Sequence, residues 1–328
     1  MSSKVLRIGT RESELAVWQA NTVKDYLGEN GYQSELVYIK SEGDMDLQTP
    51  LYEIGVQGIF TRSLDIALLN SRIDLAVHSM KDVPTQLPKG IVQSAVLKRA
   101  SYKDLLVYKG ERLAIEEALN VSCQLSVVSK DAHSPFTTHH SLFTIATSSI
   151  RRKAQWLNRY PNHSIENLRG NVNTRLRKVA ESNWNGAIFA SAGLERINLR
   201  PETSIELDWM LPAPAQGAIV VVCREDDTFS FEACQAFNHE ETAVCTKIEK
   251  EFLRTLLGGC STPISALARL KDDQLVFKGN IFSVDGTERV DIEKCVSISD
   301  ATNLGTSAAI ELLAKGGKAI AGKIHHER

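Results

Sequence analysis

Short apolar runs and helical stripes alternate along most of the chain, and their order predicts the fold class before any single residue is weighed. A first strand is expected over residues 4–10. The stripe Ala16, Ala20, Val23 and Leu27, spaced 4, 3 and 4, then predicts a helix with Ser13 at its N-cap. Leu36 to Ile39 reads as a second strand, residues 61–70 as a helix with Leu64, Ala67 and Leu68 inward, and Ile73 to Val77 as a buried third strand. Strand, helix, strand, loop, helix, strand is the order of a parallel sheet with right-handed crossovers. The segment 40–58 carries Gly43, Pro50, Gly55 and Gly58 with little periodicity, so it reads as a long loop of the kind used as a lid.

A second α/β unit opens after the strand Ile91 to Leu97. Its strands are expected at Asp104 to Tyr108, Leu142 to Ala146, Ser164 to Leu168 and Ala187 to Ala190. Helices are expected over Arg112 to Leu119, after Thr147-Ser148-Ser149, over Leu176 to Ala180, and briefly after Ala192-Gly193-Leu194-Glu195-Arg196. The Pro-rich stretch Leu211 to Gly217 leads into Ile219 to Val222, a strand so apolar that it belongs inside a central sheet. A strand arriving this late implies that the chain crosses back to the first unit, giving two lobes joined by two crossing segments. A helix from Asn238 to Leu257, with Gly258 ending it, precedes strands Ile264 to Arg269, Leu275 to Ile281 and Val290 to Ser297 and a helix near Asn303 to Leu313. That last part reads as a small α+β unit.

Composition narrows the class of function. The 328 residues are 43% hydrophobic and 24% charged, ordinary for a soluble globular protein, with no apolar run near the ~18 residues a membrane span needs. Lys4, Arg7, Arg11 and Glu12 around Val5 to Ile8 leave no room for a signal-peptide core, so a cytoplasmic protein is expected. Cys123, Cys223, Cys234, Cys245, Cys260 and Cys295 form no CxxC pair and read as free thiols. His133, His139 and His140, in a Ser/His-rich excursion, lack the further ligands of a zinc site, so no metal is expected.

The net charge of −2 excludes a global basic field for nucleic acid. Locally the balance differs: between Thr147 and Ala180 stand Arg151, Arg152, Lys153, Arg159, Arg169, Arg175, Arg177 and Lys178 against the single acid Glu166. Arg151 and Arg152 fall in the first turn of a helix, where cations oppose the dipole unless an anion joins them. The turn from Arg169 to Arg175 repeats the pattern, so the two turns read as one anion site; the plain alternative is two solvated basic faces.

Two further places carry candidate chemistry. His78-Ser79-Met80-Lys81-Asp82-Val83-Pro84 ends a buried strand, where a carboxylate beside an ammonium can be aimed at a reacting group, although Asp and Ser before Pro are also ordinary turn formers. Cys260 follows Gly258-Gly259, which leaves its thiol uncrowded, whereas lone cysteines are more often buried and structural. A Cys/His pair would need a partner such as His239.

These stretches, with Thr147-Ser148-Ser149-Ile150-Arg151-Arg152, Leu168-Arg169-Gly170-Asn171-Val172-Asn173-Thr174-Arg175-Leu176 and Asn238-His239-Glu240, together resemble the hydroxymethylbilane synthase, or porphobilinogen deaminase, family from Leu6 to about Leu313. The resemblance implies two lobes like type II periplasmic binding proteins, with mixed, parallel-dominated sheets, plus a small α+β domain. The implied division is 1–98 with 216–237, 102–212, and 238–328. It implies polymerisation of four porphobilinogen molecules, with loss of ammonia, into the linear tetrapyrrole hydroxymethylbilane. It further implies a dipyrromethane cofactor held by a thioether to Cys260, a small-molecule substrate, no nucleic-acid or membrane partner, and a monomer.

By motif match, Asp82 would be catalytic. Lys81, Ser149, Arg151, Arg152 and Arg175 would hold the cofactor, and Arg11, Ser13, Gln19, Phe60, Arg169 and Gln216 the substrate. A chain of six pyrroles presents about twelve carboxylates, to which bidentate arginine is the natural reply. The sequence departs from the family pattern at Val56-Gln57-Gly58-Ile59-Phe60, at Ala215-Gln216-Gly217, at Arg99 to Asp104, and in an insertion near 111–140 of roughly twenty residues beyond usual connection lengths. A reading from another class is a non-catalytic two-lobed receptor for a polyanion, which explains the arginines and leaves Asp82 and Gly258-Gly259-Cys260 without a role.

Overall fold

In the computed structural model, which describes residues 4–40, 61–113, 115–117, 119, 143–256 and 262–326, the apolar runs form three sheets. The first takes β1 (Leu6–Thr10), β2 (Ser34–Tyr38), β3 (Leu75–Ser79), β4 (Ile91–Val96) and a strand from far along the chain, β10 (Ile219–Arg224), in the order β2-β1-β3-β10-β4. The second takes β5 (Asp104–Tyr108), β6 (Thr144–Ala146), β7 (Ser164–Glu166), β8 (Gly186–Ala190) and β9 (Ser204–Glu206), in the order β7-β6-β8-β5-β9. The third is the antiparallel meander β11 (Ile264–Lys271), β12 (Gln274–Phe282) and β13 (Arg289–Ser297).

The first two sheets share one plan. Three parallel strands are followed by one antiparallel strand, β10 or β5, which in turn pairs antiparallel with the edge strand β4 or β9. Four of five strands in each therefore point one way: the sheets are mixed and parallel-dominated, as expected, with one antiparallel strand added to the parallel order of the first elements. In the first sheet that is the returning strand, whose partners are not its chain neighbours. It corrects the third strand, which begins at Leu75 rather than Ile73 and continues through His78 and Ser79, because Val220 and Ile219 pair with those two residues.

Helices cover both faces. On one side of the first sheet α1 (Glu14–Glu29) presents Ala20, Val23 and Leu27, and α6 (Thr228–Gln235) adds Ala233 and Cys234. On the other α2 (Arg62–Leu69) presents Leu64, Ala67 and Leu68 to Ala76, Val220 and Val222. Full burial of each valine or leucine among them is worth about 1.5–3 kcal/mol, which is why these stripes set the packing. The second sheet is clothed by α3 (Ile150–Arg159), α4 (Val172–Glu181) and the short α5 (Ser191–Glu195). The third packs on α7 (Glu240–Thr255), α8 (Leu304–Leu312) and α9 (Lys318–His326). Strand β9 and helices α6 and α9 were not foreseen; β9 is three residues long and exists only by pairing with β5.

Two segments, β4 to β5 and β9 to β10, cross between the first two sheets and lie against each other. Arg99 Nε donates to the Gln216 carbonyl at 2.8 Å and Ala100 N to the Gly217 carbonyl at 3.1 Å. Gly217 has φ +88°, and a Cβ there would sit 2.7 Å from the Ser101 carbonyl, so glycine is required by both conformation and closeness. The third unit fastens this junction through Glu249 of α7, which is fully buried. Its carboxylate accepts from Arg99 Nη1 at 2.6 Å and Nη2 at 3.1 Å, from the Ala215 amide at 2.6 Å and from the Ala268 amide at 2.8 Å.

Candidate active site

The carboxyl ends of parallel strands from both lobes face a single cleft of about 730 Å³. The first lobe contributes Arg11 and Ser13 from the turn after β1, and Ser79, Lys81 and Asp82 from the end of β3 and the 3-10 turn Met80–Asp82. The second contributes Ser149, Arg151 and Arg152 before and in α3, and Arg169 and Arg175 around the start of α4. Gln216 of the second crossing forms part of the wall, as do Leu253, Thr262 and Ile264 of the third unit. Gln19 faces a smaller adjoining space. Cys260, Phe60, the 40–58 loop beyond residue 40, and residues 120–142 of the insertion lie outside the described residues; those described in Arg112 to Leu119 are helical.

Local chemistry explains the placement. Ser149 caps α3, accepting from the Arg152 amide at 3.5 Å, and Asn171 caps α4, accepting from the Thr174 amide at 2.9 Å, so both arginine-bearing turns start helices at the cleft. Gly170 bends the chain with φ +113°, and Arg175 Nε donates back to its carbonyl at 2.7 Å. Ser13 occupies the N-cap position of α1 but makes no side-chain capping bond, which leaves its hydroxyl for the cleft.

The anion that Arg151 and Arg152 call for is in part supplied by the chain. Asp104, the fully buried first residue of β5, accepts from Arg151 Nη2 at 2.7 Å and from Arg152 Nη2 at 2.7 Å and Nε at 3.1 Å. Burial works to raise the Asp104 carboxyl, but the two guanidiniums outweigh it and hold it far below the usual carboxylate range. Arg152 Nη1 also donates to the Ile188 carbonyl at 2.8 Å and Arg151 Nη1 to that of Leu211 at 2.7 Å, so both heads are oriented in advance. Gln216 belongs to the same network, donating to Asp104 Oδ1 at 2.9 Å and to the Tyr102 carbonyl at 2.8 Å.

Positive charge nonetheless exceeds negative in the cleft. Burial, together with Arg152 and Arg151, lowers Lys81 to about 8 against the opposing pull of Asp82 and Asp104. Burial and the neighbouring Arg152 and Arg169 lower Arg175 to about 10. Each shift records a partly buried cation crowded by others at the wall of the cleft. Arg196, not singled out from the sequence, also lines the cleft, is lowered to about 10 by burial, and donates to the Gly217 carbonyl at 2.7 Å. Its signal was its position after a strand, the same as that of Arg151 and Arg169.

His239 is an N-cap, with Nδ1 accepting from the Thr242 amide at 3.2 Å, so it is engaged as a structural residue rather than as a thiol partner. Neighbouring Asn238 accepts from the Val96 amide at 2.9 Å, tying the third unit to β4. Among the described residues no His, Cys, Asp and Glu group could hold a metal, and no helix is long and apolar enough to cross a membrane.

Two family models cover the chain: "Porphobilinogen deaminase, dipyromethane cofactor binding domain" matches residues 6–232 and "Porphobilinogen deaminase, C-terminal domain" residues 243–314. The porphobilinogen deaminase of Trichlorobacter lovleyi is 39% identical, over 98% of this chain and 96% of its own. The chain belongs to the porphobilinogen deaminase family. The Geobacter sulfurreducens deaminase is 37% identical over 99% and 96% of the two chains, and the chloroplastic deaminase of Pisum sativum 39% over 95% and 82%. Among solved structures, a methionine-bound nutrient binding protein from Burkholderia cenocepacia matches with a TM-score of 0.40 and 13% identity, over 73% of this chain and 93% of its own.

A porphobilinogen deaminase is a transferase of porphyrin biosynthesis. It joins porphobilinogen units stepwise into a linear tetrapyrrole on a dipyrromethane cofactor. The cleft has the chemistry for that cofactor. Guanidinium groups converge for its carboxylates, and two buried atoms without partners, Gln216 Oε1 and Arg151 Nε, offer one acceptor for a pyrrole N–H and one further donor.

Proposed function

We propose that Asp82 is the catalytic carboxylate of this deaminase, that Cys260 carries the cofactor through a thioether, and that the cleft arginines bind the carboxylates of cofactor and growing chain. What supports this is convergence: Asp82 meets cations from four strand-to-helix turns in one cleft, and Thr262, two residues after Cys260, lines the same space. In this reading Lys81, Ser149, Arg151, Arg152 and Arg175 hold the cofactor, while Arg11, Ser13, Gln19, Phe60, Arg169 and Gln216 hold the substrate. The lobes are 1–98 with 216–237 and 102–212, the cofactor-bearing unit is 238–328, and the protein acts as a cytoplasmic monomer.

When bound, the cofactor supplies the pyrrole α-carbon to which the first new unit is joined. As the aminomethyl C–N bond of porphobilinogen breaks, ammonia leaves with the bonding pair and positive charge spreads over the pyrrole. The Asp82 carboxylate is placed to stabilise that charge through the pyrrole N–H. Forming the new C–C bond releases the α-hydrogen as a proton, and Asp82 is the base available to take it. The arginines bind and orient, and the buried walls exclude water from the electrophile.

The deciding experiment is the intact mass of the purified protein beside that of Cys260→Ser. A two-pyrrole adduct is expected on the parent and not on the variant; an adduct retained by the variant would remove Cys260 from this role. Arg169→Ala and Arg175→Ala are each expected to weaken chain binding tenfold or more, the loss of one charged hydrogen-bonding partner being worth about 1.5–3 kcal/mol. Single-turnover elongation at two salt concentrations checks this, and unchanged kinetics in both variants would leave these residues with a role in the scaffold alone.

A further inference from the structure

A second chamber of about 10 Å³ adjoins the cleft at Asp82. Arg11, Ser79 and Asp82 line both spaces, whereas His78, Gln19 and Thr61 line only the smaller. His78 is 7% exposed, and its Nε2 is buried with no hydrogen-bond partner. An orphaned buried ring nitrogen is costly and calls for an explanation. The chamber has about the volume of one water, and its polar walls exceed the two to four partners such a water needs.

The surroundings fix the ring's character. The backbone of His78 is pinned in β3 by pairing with Val220, and Gln19 Nε2 is already committed to Ser79 Oγ at 2.8 Å. Burial, with the Arg11 cation, pushes His78 down to about 3, so at neutral pH the imidazole is neutral, one nitrogen a donor and the other an acceptor. A neutral ring is suited to holding a water and unsuited to neutralising a carboxylate.

We propose that His78 is a positioning residue for the condensation: through one water in this chamber, its Nε2 fixes the Asp82 carboxylate from the side away from the substrate. This rests on the reading of Asp82 as the catalytic carboxylate. An ionised carboxylate has about four lone-pair directions. Anchoring those that point into the chamber keeps the remaining ones aimed at the pyrrole N–H, and loss of aim by about 1 Å can cost a hundredfold in rate.

Three variants of the cofactor-loaded enzyme test this, with intact mass confirming the adduct in each. His78→Asn keeps a polar atom near Nδ1 but none at Nε2, His78→Phe fills the ring volume with carbon, and His78→Gln returns a polar group near Nε2. His78→Asn and His78→Phe should lower kcat about tenfold to a hundredfold, leave KM within about twofold and shift the acid limb of the pH profile, while His78→Gln recovers kcat to within about threefold. If one of the first two does not fold, the other decides. Parent kcat and pH profile in folded, adduct-bearing His78→Asn or His78→Phe overturn the proposal, as does a KM rise that His78→Gln fails to reverse. Asp82→Asn measured in parallel separates the two readings. Normal turnover in that variant removes the role of Asp82 itself, whereas an inactive Asp82→Asn beside a normal His78→Asn removes only that of His78.

Discussion

Asp82→Asn should lower turnover by about a hundred- to ten-thousandfold while the protein keeps its fold and its cofactor adduct. That is the range for loss of a positioned acid–base group. Asparagine has nearly the same shape and retains an oxygen for a pyrrole N–H. It has neither the charge to stabilise an electron-poor pyrrole nor the basicity to accept the α-proton. The loss also reaches its neighbours, because Asp82 is among the groups that raise both Lys81 and Arg175 against burial. Without it, Lys81 should titrate below its present value of about 8, so the variant's binding of polyanions should weaken at lower pH than the parent's. Ammonia release in a single turnover measures the chemical step. A rate within threefold of the parent's would end the catalytic assignment.

Glu249→Ala should produce the largest loss of stability of any single substitution discussed, about 3–5 kcal/mol, because it leaves a buried cation without its partner. The carboxylate accepts four hydrogen bonds from three separate segments: the first crossing through Arg99, the second through Ala215, and β11 through Ala268. Arg99 is nearly buried, and Ala215 holds φ +62°, a left-handed conformation that a β-carbon disfavours and that its surroundings must impose. Removing the carboxylate strands the guanidinium and two amides together. Glu249→Gln keeps an acceptor and removes the charge, so it should fall between. Urea unfolding of parent and both variants reads the effect, and a common midpoint for all three would show that the junction is held by packing alone.

Much of the cleft was readable because its parts are local. The stripe Ala16, Ala20, Val23 and Leu27 is buried as its spacing required, and Ser149 caps the helix that carries Arg151 and Arg152. Each strand-to-helix turn announced itself through a cap, a glycine or a proline beside charged residues. Arg196 escaped notice because the short helix before it, Ser191–Glu195, has Ala190 at its N-cap and so no polar cap to mark it. His78 was grouped with the turn because nothing in its neighbourhood reveals that β10 pairs with it from 142 positions away, as Val220 against His78.

Periodicity, capping and turn chemistry act over a few residues, so the chain's own order determines most helices and strands, the two-lobed plan and which residues stand at strand ends. Partnership between charges is different in kind. Asp104 meets Arg151 and Arg152 across 47 and 48 positions, and Arg99 meets Glu249 across 150. A carboxylate in a sequence looks the same whether it faces water or two guanidiniums. Only the folded topology, by bringing β5 beneath α3 and α7 against both crossings, decided which acids neutralise the scaffold and which, Asp82 with Glu12 and Glu14, line the cleft.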